Sequence, residues 1–210
     1  MKIAIIGAGH VGSTLGKSWA TKGHQVAFGV RDPKSSKALD VVKAAGPKAR
    51  ADTPQAAASS ADVVVLATPW PNTQEAVRSA GELAGKVVVD ATNPLKPDLT
   101  GLAVGHASSG GEEVARWAKG ARVVKCFNTI GAEHMADPRI AGQAASMFLC
   151  GDDVSAKGTV AKLAAELGFE PIDVGPLTQA RLLEPLALLW ISMAYAHGLG
   201  TGIAFKLLRG

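Results

Sequence analysis

Cysteine is almost missing from these 210 residues, with Cys126 and Cys150 the whole complement. Each closes an apolar run and neither has a C-x-x-C partner. That excludes a disulfide framework or cysteine zinc site and reads as two buried free thiols. The five histidines never recur at a metal-ligand spacing, so no metal site is expected. Long hydrophobic runs are lacking too. The longest, PLALLWISMAYA at 185–196, is too short to cross a bilayer and suits a buried helix or a subunit contact. Charge is nowhere concentrated: 22 basic and 18 acidic residues, net +4, are scattered along the chain. Without a basic stripe no nucleic-acid partner is expected, although the slight excess suits an anionic ligand. The start, MKIAIIGAG, enters an apolar strand without the zones of a signal peptide, so a cytoplasmic location and no membrane contact are expected.

Aromatics are scarce at 5% and charged residues make up 19%, whereas hydrophobic ones reach 47% beside 24 glycines. That balance belongs to compact α/β proteins rather than to disordered or fibrous ones. A chain of this length buries roughly 70% of its unfolded surface, enough for one large domain with a short appendage. Continuously apolar runs at 2–7, 24–30, 62–68, 86–92 and 121–127 read as strands covered on both faces, with a weaker strand near Arg50. Helical patterns at 10–23, from Asp32–Pro33 towards Gly46, and around 112–118 alternate with them. SMFLCG, VSAKGTVAKLAAELG and EPIDVG add one more β-α-β unit. The fold class expected is α/β, a doubly wound and mostly parallel Rossmann sheet over residues 1–176. Residues 177–210 form a C-terminal helical appendage. The turns after Gly7, Val30, Thr68, Thr92 and Phe127 should face one crevice at the carboxyl ends of the strands.

GAGHVG places Gly7, Gly9 and Gly12 in a G-x-G-x-x-G pattern between an apolar strand and a helix. Gly7 allows the tight turn, Gly9 a close approach of backbone to a pyrophosphate, and Gly12 close packing of helix on strand. The helix start offers free amides and a positive dipole end to an anion, with His10 inside the turn. At the end of the second strand, where an acidic residue would hold the ribose of NAD, stand Val30 and Arg31. Arg31 can present a planar fork to a 2′-phosphate, with Lys34, Ser35 and Lys37 adding charge or donors, so NADP(H) is the expected nucleotide. Asp32 reads as a cap for the next helix.

Several segments together resemble the coenzyme F420-dependent NADP oxidoreductase family, to which the reductase domain of the STEAP metalloreductases is related. They are IAIIGAGHVGSTLG, the arginine after strand two, VVVLATPW, VVVDATNPL, ARVVKCFNTIGAEHM, FLCGDD, DVGPLTQARLLEPLALLW and GIAFKLL, in order along nearly the whole chain. The resemblance implies that Gly7, Gly9, His10, Val11 and Gly12 hold the pyrophosphate and Arg31 the 2′-phosphate. It puts Thr68, Pro69 and Trp70 on the nicotinamide side, Asn93 and Pro94 at the floor, and Phe127, Asn128 and Thr129 where the two redox partners meet. It further implies a second redox coenzyme, the deazaflavin F420 or a flavin (FAD or FMN). The chain departs from the family pattern at Val30, where many members have serine, and at Ser35, where lysine is frequent.

Hydride transfer between two stacked rings needs proximity more than an acid or base. No Lys–Asp, Ser–Tyr–Lys or His–Asp arrangement is legible along the chain. Asn128 and Thr129 are therefore the polar candidates near the reacting carbon. A small hydroxyacid or imine reductase shares the glycine turn but usually carries a long second domain. A non-catalytic NADP sensor would keep the turn and Arg31 alone. The all-round apolar region from Leu177 suggests homodimerisation, and Arg181 and Glu184, three apart on one helix, are expected to pair with each other.

Overall fold

The Val- and Ile-rich runs become the strands. In the computed structural model, which describes residues 1–210, they are Lys2–Ile6 (β1), Gln25–Gly29 (β2), Ala49–Asp52 (β3), Val63–Leu66 (β4), Val87–Asp90 (β5), Arg122–Lys125 (β6), the two-residue pair Arg139–Ile140 (β7) and Gln143–Ala144 (β8), Ser146–Gly151 (β9) and Glu170–Asp173 (β10). The helices are His10–Thr21 (α1), Ser36–Ala45 (α2), Pro54–Ser59 (α3), Thr73–Ala80 (α4), Gly110–Trp117 (α5), Val154–Glu166 (α6) and Ala180–Ile191 (α7). One eight-stranded sheet runs in the order β10-β9-β6-β5-β4-β1-β2-β3. It is parallel from β3 to β6 and again between β9 and β10, while β9 lies antiparallel to β6. This is the doubly wound α/β fold, and its strand order reverses between β1 and β4, where such sheets bind ligands.

Successive strand residues point to opposite faces, so each strand feeds two cores. Ile3, Ile5, Val63, Val65, Val87 and Val89 pack with Leu15 and Trp19 of α1 and Val160 and Leu163 of α6. Ala4, Ile6, Val64, Leu66 and Val88 face α3, α4 and α5 instead, and Leu177, Ala180 and Leu183 of the C-terminal region join that second core. Each fully buried aliphatic side chain contributes about 1.5–3 kcal/mol, which is why apolar runs on both faces specify this layer order.

The entrance to α2 differs from expectation. Asp32 does not cap it: Ser35 does, its Oγ accepting from the Ala38 amide at 3.4 Å. Asp32, with Pro33 next to it, opens a four-residue turn closed by the Ser35 N–H on the Asp32 carbonyl at 3.3 Å. The Asp32 carboxylate accepts from the Lys34 amide at 3.0 Å. Asp followed by Pro favours such a turn, and this one delays the helix to Ser36. Helices α3 and α4 carry no long apolar period, so no pattern along the chain announces them. Thr53, accepting from the Ala56 amide, and Pro54 at the first helical position start α3.

The expected helical appendage over 177–210 is helical only as far as Ala196; beyond it the chain is extended and irregular and returns to the sheet. Trp190 Nε1 donates to the Ile203 carbonyl at 2.8 Å, and the Ser146 amide at the start of β9 donates to the Phe205 carbonyl at 3.0 Å. Cys126 and Cys150 are buried free thiols, as expected; burial pushes Cys150 up to about 12 and Cys126 higher still. No helix is long and apolar enough to cross a membrane.

Candidate functional site

The glycine turn joins β1 to α1 through backbone that tolerates no side chain at Gly7 or Gly12. Gly7 has φ +105, and a Cβ there would lie 2.7 Å from the Ala67 carbonyl oxygen. A Cβ on Gly12 would fall 2.0 Å from the Gly7 oxygen. At Gly9 a Cβ would meet nothing within 4 Å, so the space above it is open. No side chain caps α1, and its first turn carries no acidic residue. The amides of His10, Val11 and Gly12 donate to no backbone acceptor, which leaves them for a ligand.

A cleft of about 520 Å³ runs from this turn across the switch point. Gly7, Gly9, Val30, Arg31 and Ser35 line one part of it, and Thr68, Pro69, Asn72 and Ser79 another. Arg31 is exposed and takes part in no ion pair. Lys37 also lines the cleft, whereas the exposed Lys34 does not. Ser35 is partly committed as the cap of α2, which limits what its hydroxyl can offer a ligand. Nearby, Thr68 and the buried Thr73 share a hydrogen bond at 3.1 Å.

Of the other expected residues, His10, Val11, Gly12, Trp70, Asn93, Pro94, Phe127, Asn128 and Thr129 do not line this cleft; the last six follow the carboxyl ends of β4, β5 and β6. Trp70 turns away from the cleft to pack on Trp117, ring centroids 5.3 Å apart, because the second core offers its indole an apolar seat beside α5. Pro94 is buried, and Asn93 does not line the cleft. Asn93 instead pairs with Asn128, donating to its carbonyl at 3.0 Å and accepting from its Nδ2 at 3.1 Å. Asn128 Nδ2 also donates to the Leu183 carbonyl at 3.1 Å. Both bonds require the amide as placed, so its Oδ1 faces away from them, buried and without a donor. Thr129 is buried beside it. Phe127 holds φ +66, a left-handed conformation rare outside glycine, at the carboxyl end of β6.

Residues 2–94 match the model of the family described as NADP oxidoreductase, coenzyme F420-dependent. The F420-dependent NADP reductase of Methanothermobacter thermautotrophicus is 31% identical over 207 residues, covering 92% of this chain and 89% of that protein. The chain belongs to the coenzyme F420-dependent NADP oxidoreductase family. A crystal structure of a candidate F420-dependent NADP reductase from Arthrobacter sp. superposes with a TM-score of 0.91 at 36% identity, covering all of both chains. Rat metalloreductase STEAP3 is 32% identical over 188 residues; the chain spans about a third of it, 36%. This is therefore an NADP-dependent oxidoreductase family.

The carboxyl ends of β5 and β6 in this member of the F420-dependent NADP oxidoreductase family hold a cluster that linear reading missed. Lys125, fully buried, donates to Asp90 Oδ2 at 2.9 Å and to the Thr92 carbonyl at 2.7 Å, and it lies 2.8 Å from Glu184 Oε1. Burial works against its charge, but the Asp90 and Glu184 carboxylates outweigh that and hold Lys125 above the ordinary lysine value. A buried Lys–Asp pair thus exists, contrary to expectation. The expected Arg181–Glu184 pair does not. Glu184 accepts from the Gly110 and Gly111 amides at 2.8 and 3.0 Å, and Arg181 forks onto Glu112 at 2.8 and 2.6 Å. An exposed pair three residues apart contributes only about 0.2–0.5 kcal/mol, less than a buried cation plus the start of α5. The available signal was three charges embedded in apolar runs: VVVD, VVK and LLEPL.

Proposed function

We propose that the chain transfers hydride between NADP(H) and a flavin-like coenzyme, with coenzyme F420 the first candidate and FAD or FMN the alternatives. The residues present fit the nucleotide. Gly7 and Gly9 shape the turn and the free amides of His10, Val11 and Gly12 hold the pyrophosphate, Arg31 and Lys37 meet the 2′-phosphate, and Thr68 and Pro69 flank the nicotinamide. The buried Asn128 Oδ1 lacks a donor, and a carboxamide N–H supplies one. When bound, the nicotinamide supplies the hydride.

The observation that carries this reading over a carbonyl or imine reductase is the saturation of Lys125. Its three donors are spent on Asp90, Thr92 and Glu184, and none of its surface is exposed. It cannot hand a proton to a substrate. What remains is a site that binds and orients two rings, which is what hydride exchange asks of a protein. Following NADPH oxidation with F420, FAD, FMN and a ferric chelate in turn tests the proposal. Turnover with the deazaflavin or a flavin supports it; oxidation with none of them overturns it in favour of an NADP sensor.

Arg31→Ala is expected to weaken NADPH binding roughly ten- to a hundredfold and to leave NADH binding unchanged, since one charge-assisted bond contributes about 1.5–3 kcal/mol. Equal losses for both nucleotides, measured by titration calorimetry, would remove Arg31 from the 2′-phosphate. A homodimer is also part of the proposal. Leu182, 65% exposed, and Leu189, 51% exposed, share one outer face of α7 with Pro185, and a second copy of the chain covers it. Light scattering should find a wild-type dimer and a Leu182→Glu/Leu189→Glu monomer.

A further inference from the structure

Asp90, Lys125 and Glu184 take three charges out of water, and a cluster of that kind is a poor device for stability alone, because apolar side chains of similar volume often serve as well. Its placement is the informative fact. Asp90 ends β5 and Lys125 ends β6, and those two strands lead directly into Asn93 and Asn128. A closed circuit of contacts links them. Glu184 meets Lys125, Lys125 donates to the Thr92 carbonyl, and Asn93, the next residue, pairs reciprocally with Asn128. Asn128 then donates to the Leu183 carbonyl, which adjoins Glu184. The one polar atom in the circuit left without a partner is Asn128 Oδ1.

We infer that Glu184 is a positioning residue for hydride transfer: through this circuit it fixes Asn128 Oδ1 at the nicotinamide end and makes α7 a working part of the redox site. The inference rests on the NADP oxidoreductase reading above. It separates two properties that a purely structural role would move together. Nucleotide affinity resides mainly in the glycine turn and Arg31, whereas nicotinamide placement passes through Glu184.

Glu184→Gln keeps the size of the side chain and an acceptor for the α5 amides but removes the charge facing Lys125. In the full chain, titration with NADPH followed by nicotinamide fluorescence reports affinity and ring environment without any acceptor. Affinity should stay within about threefold of wild type, while the emission gained on binding falls by about half or more. Single-turnover hydride transfer should fall roughly 10- to 100-fold, the scale of a small misplacement of reacting groups. Once Asn128→Ala is present, Glu184→Gln should add little, since both act through one contact. Unchanged emission and transfer with a lowered melting temperature would overturn the inference, as would effects that simply add. If Glu184→Gln fails to fold, Asn93→Ala opens the same circuit away from the buried charges; wild-type emission in that variant is then the overturning result. Should no acceptor support turnover, the function reading fails while the emission cycle with Asn128→Ala still decides the positioning role. Absence of NADPH binding by the wild type overturns both.

Discussion

Gly12→Ala is expected to abolish measurable NADPH binding while also lowering stability. The added methyl would lie 2.0 Å from the Gly7 carbonyl oxygen and 3.0 Å from Ile5 Cγ2. The first neighbour is backbone inside the glycine turn, so relief comes only by moving α1 off β1. Such overpacking costs about 1–3 kcal/mol of stability. The larger effect falls on the ligand. Shifting α1 carries the His10, Val11 and Gly12 amides away from the position in which they converge on an anion. Losing one or two charge-assisted bonds of about 1.5–3 kcal/mol each lowers affinity on the order of a hundredfold or more. Gly9→Ala is the control. Its Cβ meets nothing within 4 Å and its φ is −79, so the fold should melt at the wild-type temperature. The methyl then occupies the space proposed for the pyrophosphate, and binding alone should weaken. Calorimetry for affinity and a thermal melt for stability separate the two; a stable Gly12→Ala that binds NADPH normally would remove the turn from the site.

Lys125→Met should be strongly destabilising. It leaves Asp90 and Glu184 buried without their cation. Removing one partner of a buried ion pair typically costs about 3–5 kcal/mol, against total stabilities of about 5–15 kcal/mol. At roughly 2–4 °C per kcal/mol for a chain of this size, the melting temperature should drop by about 10 °C or more. The loss should also loosen α7, because Glu184 and the start of α5 share the cluster. Replacing all three together, Lys125→Met with Asp90→Asn and Glu184→Gln, removes the uncompensated charge and should recover about half of the loss or more. A single variant as stable as wild type, by denaturant titration, would show that water reaches the cluster.

Much of this molecule can be read along the chain. Each alternation of an apolar run with a helical pattern became a strand and a helix, because burial on both faces leaves a parallel strand little choice of composition. Gly7, Gly9 and Gly12 are legible for a related reason: three glycines at that spacing after an apolar strand answer local steric demands. Arg31 was legible as a residue where a carboxylate is usual. The entry to α2 and contacts made far along the chain were not. Whether Asp32 or Ser35 caps α2 depended on a turn four residues long, and Trp70 chose Trp117, 47 positions away by their numbers, over the cleft.

The sequence by itself determined the sheet, the glycine turn and the family, since each depends on residues adjacent in the chain or on a motif of fixed spacing. Only the tertiary structure decided what the charges inside apolar runs do. Asp90, Lys125 and Glu184 are separated by 35 and 59 positions, and they find one another because burial makes an unpaired charge intolerable once the strands and α7 are packed.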